Sequence, residues 1–440
     1  MRQKIVRLAL VGGVVFLALL LLLATCGGGG GDGAGRDGKG GESRKPVKES
    51  AGPVTRLTVP PAYTADRGWE VVDAGPGYAV SHPTGVLAYL VRAPGQRYRL
   101  RTLDIPTGRA GWSGEAWRPP DPARFPKLLT LAKADRQFFV TWSYGRVGDD
   151  LAPSRTLVSL DVYDAADGER LRAEVPWTGV PVVTASGPDI LITDGRTTGA
   201  LVDPLTGDVT GIPAAKPSYP EGCSACGQLT EVRGQTEKGL LFSGAREFWV
   251  RGGWFSRKVA PKGADPRSGV PTSVGPGRIL VRWQLGKKAE RAATHELWAV
   301  HDAASGKPVA SVECHRPAIE PGSHPQAVFS PSGRYAVAGN LAFDLEAEEG
   351  FCFETEGGAA RVTLASVTDD GTAYGAADAR DAADALEGGG TPVEMSFVSG
   401  DVEPLPPNVR LPEMETSGTG VFTWTDRKDR LHLLGYPRTS

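Results

Sequence analysis

One phrase constrains this chain more than any other: LWAVHDAASGKPVASV, residues 297 to 312, an apolar strand, a turn built on Asp302 and Gly306, and a second strand. It is written again as LDIPTGRAGW (103 to 112), VYDAADGERL (162 to 171) and LVDPLTGDVTGI (201 to 212). Asp104, Asp164, Asp203 and Asp302 each stand four residues before a glycine: Gly108, Gly168, Gly207 and Gly306. An Asp carboxylate accepts bonds from turn N–H groups, and glycine takes the positive φ that a tight reversal needs. Each phrase therefore predicts a hairpin, and its acid belongs to a turn rather than to catalysis. Degenerate copies at FWVRGGWFSRKV (248 to 259), FDLEAEEGFCF (343 to 353) and MSFVSGDVEPL (395 to 405) bring the count to seven.

Successive hairpins are centred near 104, 164, 203, 252, 302, 344 and 398, so the unit is 40 to 60 residues long. Upstream of several lies a second strand-turn-strand phrase, clearest in VFSPSGRYAVAGN (328 to 340) and ASVTDDGTAYG (365 to 375). Two hairpins per unit make a four-stranded blade, and a rhythm of this length over about 300 residues is that of a β-propeller rather than a sandwich. With 58 Gly and 35 Pro against 3 Met, the chain is punctuated for turns, not helices. The expected fold is all-β: seven blades of four antiparallel strands over residues 54–440. Eight is the alternative if the C-terminal hairpin GVFTWTDRKDRLHLLGYP (420 to 437) and N-terminal strands form a blade of their own. RLTVPPAY (56 to 63) is the N-terminal strand expected to close the ring, and AADARDAADALEGGG (376 to 390) is expected to be a loop holding one or two helical turns.

The DxxTGxxxW pattern of Asp104, Thr107, Gly108 and Trp112 resembles the tryptophan-docking repeat of quinoprotein-type propellers, and FSPSGRY resembles a phrase of TolB-like and WD-repeat propellers. At the places equivalent to Trp112 the other repeats have Arg172, Gly211 and Ala310. The resemblance implies architecture more than activity. A quinoprotein-like dehydrogenase, or another propeller enzyme, is the alternative function it raises.

The leader places the protein. Arg2, Lys4 and Arg7 precede an uncharged run from Leu8 to Thr25, which reads as an export signal. LATC, Leu23 to Cys26, resembles a lipobox, which implies a lipid on Cys26; the alternative is an uncleaved anchor of about 26 Å, just enough to span a bilayer core. Either puts the body outside the cytoplasm, tethered to the cell membrane. Residues 27–53 are Gly-rich with almost nothing apolar to bury, and predict a disordered linker spanning about 30 Å. In an exported domain the remaining four cysteines default to two disulfides. Of three connectivities, Cys223 with Cys226 and Cys314 with Cys352 is favoured: the first pair shares one loop, and the second lies in or beside outer hairpin strands of neighbouring blades. A redox CxxC usually opens a helix, whereas Pro220, Gly222 and Gly227 surround this one, and zinc would need two further ligands.

A formal charge of −2 with both signs mixed makes nucleic acid an unlikely partner. The sequence holds no GxSxG, HExxH or P-loop motif, and its six His are scattered, His315 and His324 being the close pair outside the 295/301 strand. No catalytic residue, metal or cofactor is assigned. The expected role is a non-catalytic binding or scaffolding module of a bacterial envelope, with a protein or small-molecule ligand on a propeller face.

Overall fold

The computed structural model describes residues 52–148, 154–212, 218–224, 226–317, 324–354 and 360–439. The expected leader, Cys26 and the expected linker as far as residue 51 lie outside them. Contacts divide the chain into Met1–Glu49 and Ser50–Ser440, and the fold below belongs to the second.

Among the described residues the strands make eight antiparallel sheets, each following the last in chain order. The molecule is a β-propeller of eight blades, not seven. Blades 1 to 7 occupy residues 78–113, 127–176, 182–212, 231–250, 270–315, 328–352 and 362–404. Each begins at an inner strand a and steps outward through b, c and d. Blade 8 takes Met414–Thr416, Thr419–Thr425 and Leu431–Pro437 from the C-terminal end and Trp69–Ala74 from the N-terminal end as its strand d. Counting turn phrases falls one short for a physical reason. The outer hairpin of the closing blade has no turn, because its two strands come from opposite ends of the chain.

The closing strand is also not the one expected. Trp69–Ala74 pairs with Leu431–Pro437 from Trp69↔Gly435 to Ala74↔Leu431. In residues 56–63, Pro60 and Pro61 remove backbone donors, and the segment meets the sheet at one bridge, Tyr63↔Arg438. Blade 4 departs from four strands. Its strand c, Phe248–Val250, is followed by a single bridge, Trp249↔Phe255, because the chain turns into a 3₁₀ helix, Ser256–Lys258, whose Ser256 hydroxyl takes the Phe248 N–H (3.2 Å).

The core is a ring of interfaces. Central strands such as Ile190–Thr193 and Tyr335–Ala338 are buried at every position, as strands covered on both faces must be. The outer strand Arg170–Pro176 instead alternates toward its end. Each apolar cluster joins two successive blades: Val140, Leu160 and Val162 of blade 2 meet Ile190 and Val202 of blade 3, and so on round to Trp69 and Leu433 of blade 8 against Leu87 and Leu103 of blade 1. The expected helix forms as Ala382–Glu387, capped by the Asp381 side chain at its start and by Gly388 (φ 96°) at its end. No helix among the described residues is long and apolar enough to cross a membrane.

Candidate functional site

The repeated acids sit in the turns between strands c and d. Oδ1 of Asp104, Asp164, Asp203 and Asp302 accepts the N–H of Thr107 (3.1 Å), Ala166 (2.8 Å), Leu205 (2.8 Å) and Ser305 (2.8 Å). Gly108, Gly168, Gly207 and Gly306, at φ 66° to 77°, donate back to the carbonyl of the same Asp. The second carboxylate oxygen of three of them meets a cation: Arg136 on Asp164 (2.7 Å), Lys133 on Asp203 (2.7 Å) and Arg278 on Asp302 (2.9 Å). Burial alone would raise the Asp203 and Asp302 carboxyls, but these bonds hold both below the ordinary carboxylate range. Their lone pairs are committed to the fold.

The glycines serve a second purpose. Trp69, Trp112 and Trp254 pack against Gly108, Gly168 and Gly306 of the following blade. Each indole N–H reaches a carbonyl in that blade's turn: Ile105 (2.6 Å), Ala165 (3.0 Å) and Ala303 (3.1 Å). Sequence spacing identifies one docking tryptophan where the described residues hold three. In blade 2 the side chain over the next glycine is Leu171 rather than Arg172.

Beneath Trp112 opens a cleft of about 510 Å³ between blades 1 and 2, walled by Ser113, Gly114 and Glu115 on one side and by Tyr163, Arg170 and Arg172 on the other. The Tyr163 ring stacks on Trp112 with centroids 5.7 Å apart. Its hydroxyl is buried without a hydrogen-bond partner among the described residues, and burial pushes the phenol far above its ordinary pKa, so it stays a neutral donor. Arg170 is fixed by a two-pronged contact to the buried Asp161 (2.9 and 2.5 Å). Arg172, 40 % exposed, shares its guanidinium with Ser159 (3.3 Å) and Glu174 (3.2 Å). Two guanidinium groups stand in its wall beside a single carboxylate, Glu115, a pattern that suits a ligand bearing acceptors. Nothing in the sequence marked it, because its walls come from strands about 50 residues apart.

A second cleft, about 400 Å³, lies between the short helix and residues 405–410. There Arg410 donates to the Leu386 carbonyl (3.3 Å), closing the end of the helix. Both expected disulfides are formed, Cys223–Cys226 and Cys314–Cys352. The second joins strands d of blades 5 and 6 beneath Asn340, whose amide donates to Cys314 Sγ (3.2 Å). The first lies in the connection into blade 4, with Glu247 and Arg257 beside it. The Sγ atoms of Cys223 and Cys226 and a Glu247 oxygen lie within 4.8 Å of one another, but sulfurs bonded to each other are not thiolate donors for a metal. Of the histidines, His295 and His315 meet across strands c and d of blade 5 (5.4 Å between rings), while His324 packs on Trp298 (5.7 Å).

No protein-family model matches the chain, and no curated protein does. Among solved structures it is similar to a proposed 6-phosphogluconolactonase from Bacteroides fragilis (TM-score 0.35, 14% identity, 76% of this chain and 98% of that one). It is similar also to a proposed 6-phosphogluconolactonase from Bacteroides uniformis (TM-score 0.34, 12% identity, 75% and 98%). A Bacteroides thetaiotaomicron protein of unknown function gives TM-score 0.30 at 10% identity, covering 87% and 75%.

Proposed function

We propose that this chain is an extracytoplasmic, membrane-tethered binding module that captures an acceptor-rich ligand in the cleft between blades 1 and 2 without transforming it. The observation that carries the reading is the cleft's wall: two guanidinium groups, Arg170 and Arg172, held in place by Asp161 and Glu174 over the buried Tyr163 ring. Guanidinium groups fixed in this way present donors to a ligand oxygen at little further cost in side-chain entropy. The leader supports a tether at Cys26 or through an uncleaved helix, and the two disulfides support an oxidising compartment.

The test is a photocrosslinking side chain in place of Glu115 on the full-length protein in intact envelopes. It should trap a ligand that the same group at Lys307, on the turn of blade 5, does not. Arg172→Glu and Ser113→Trp, at the rim of the cleft, should each reduce trapping by at least tenfold with the fold intact by circular dichroism. Equal trapping from both positions, or trapping indifferent to both substitutions, overturns the reading.

A further inference from the structure

We propose that the Cys223–Cys226 disulfide is a thiol–disulfide exchange site whose substrate is a protein segment carrying two thiols. The pair lies in the connection into blade 4, where the strand repeat is interrupted, and it is independent of the cleft described above. Cys223 is half-buried among exposed Glu221, Gly222 and Ser224, whereas Cys226 is completely buried. Of the two residues, Cys223 is the one with exposed surface, and so the one on whose side an incoming thiolate would attack.

The carboxylate beside them is placed for a state other than the oxidised one. Glu247 is 2 % exposed, and its Oε2 lies 2.9 Å from Cys223 Sγ. A disulfide sulfur has no proton to share, so this contact becomes a hydrogen bond only when Cys223 is a thiol. Arg257 grips both oxygens of Glu247 and also donates to the Gly222 carbonyl (3.1 Å), tying the carboxylate to the CxxC loop. On either side of the pair in the chain, Tyr219 and Leu229 are 48% and 78% exposed, an apolar border that an unfolded or extended substrate can lie on. Cys314–Cys352 has a different character. It links neighbouring blades across 38 residues, with Cys314 buried, whereas Cys223–Cys226 closes a ring of separation 3 and constrains the unfolded chain much less.

In the exchange, a substrate thiolate attacks Sγ of Cys223, the Cys223–Cys226 bond breaks, and Cys226 leaves as a thiolate with the bonding pair. The second substrate thiolate then attacks the substrate sulfur of the mixed disulfide, forming the substrate disulfide and releasing Cys223. Two electrons pass from the dithiol to the chain. Its two protons end on Cys226 and Cys223, the latter within reach of Glu247.

The test uses the full oxidised chain in a glutathione buffer, with alkylation and peptide mass mapping over time. Cys223 and Cys226 should become alkylated from the native state at least tenfold faster than Cys314 and Cys352. Cys226→Ser should retain glutathione on Cys223, and Cys223→Ser should retain much less on Cys226. Glu247→Gln should displace the pH profile of exchange at Cys223 while leaving the rate at Cys314–Cys352 unchanged. If the two wild-type disulfides are reduced at the same rate, or both only on unfolding, the proposal fails. It fails equally if glutathione is retained on Cys226 in preference to Cys223.

Discussion

At the residue scale, His301 shows how the repeat absorbs a group that looks chemical. It is fully buried in blade 5, its Nδ1 lies 2.7 Å from the Gly306 carbonyl, and the Trp283 indole donates to its Nε2 (3.2 Å). Only the neutral ring with its proton on Nδ1 satisfies both neighbours. Burial lowers the imidazole to about 4 against the opposing pull of the Gly306 carbonyl. The unfolded chain binds this proton near pH 6.5 and the folded one only near 4, so the unfolded state holds more protons between those values. Stability from this site is complete above about pH 6.5 and is lost as pH falls toward 4, by roughly 3 kcal/mol in all. Urea midpoints of wild type and His301→Gln, compared from pH 7 to 4, should converge on acidification. Parallel curves would show that the histidine titrates alike in both states.

At the scale of elements, the unit of construction is a strand-d side chain docked on the next blade's turn. Gly306 and Gly333 have nearly the same φ, 74° and 73°, but a Cβ on Gly306 would lie 2.4 Å from the Trp254 indole and one on Gly333 would meet nothing within 4 Å. Gly333→Ala should therefore cost only the left-handed backbone, about 1–2 kcal/mol. Gly306→Ala should cost about 1–3 kcal/mol more through overpacking. In the double variant with Trp254→Ala the excess should vanish, because the clash has lost its partner; thermal or urea unfolding of wild type, the three single variants and the double variant measures this, and an excess that persists removes the docking account. The same contacts explain how far the sequence could be read. The Asp-to-Gly spacing depends on bonds within a single turn, so four outer hairpins were legible from it and three more from degenerate copies. Docking partners were not, because they are set by register. A bulge between the Leu103↔Ala110 and Arg101↔Ser113 pairs inserts a residue before Trp112, whereas Val162↔Leu171 in blade 2 has none, so a fixed spacing lands on Arg172 beside the true occupant, Leu171. Trp254 and Trp69 follow other chain paths altogether, one after the short turn of blade 4 and the other on a strand that no turn phrase precedes. The Glu247 contact to Cys223 was equally hidden, since 24 residues and a hairpin separate them.

At the scale of the whole molecule, the ring is continuous in packing but not in covalent chain, and the seam is blade 8. Its outer strand is held by more than the ladder. Glu70 accepts the Thr55 N–H (3.0 Å) and hydroxyl (2.7 Å) and meets His432 Nδ1 (2.7 Å), while the Tyr436 hydroxyl donates to the Thr55 carbonyl (2.8 Å). Across the neighbouring interface Tyr63 donates to Glu415 (2.5 Å), and Arg438 pairs with Asp370 of blade 7 (2.6 Å). Chain ends that open separately from the remainder would expose two long strand edges, so these bonds set the free energy of the first local opening. Burial acts to raise the Glu70 carboxyl, but the Thr55 and His432 bonds outweigh it and hold the group below its ordinary range. A lowered carboxyl gives stability that is present above its unfolded pKa of about 4.3 and lost as pH falls through the folded value. The seam should thus be tight at neutral pH and loosen in acid. Glu70→Gln at pH 7 should loosen it without acid: hydrogen exchange should quicken by at least tenfold in residues 69–74 and 431–437 while blades 3 to 5 keep their wild-type protection. Uniform quickening around the wheel would mean that the eight interfaces open as one unit and that the seam has no separate weakness.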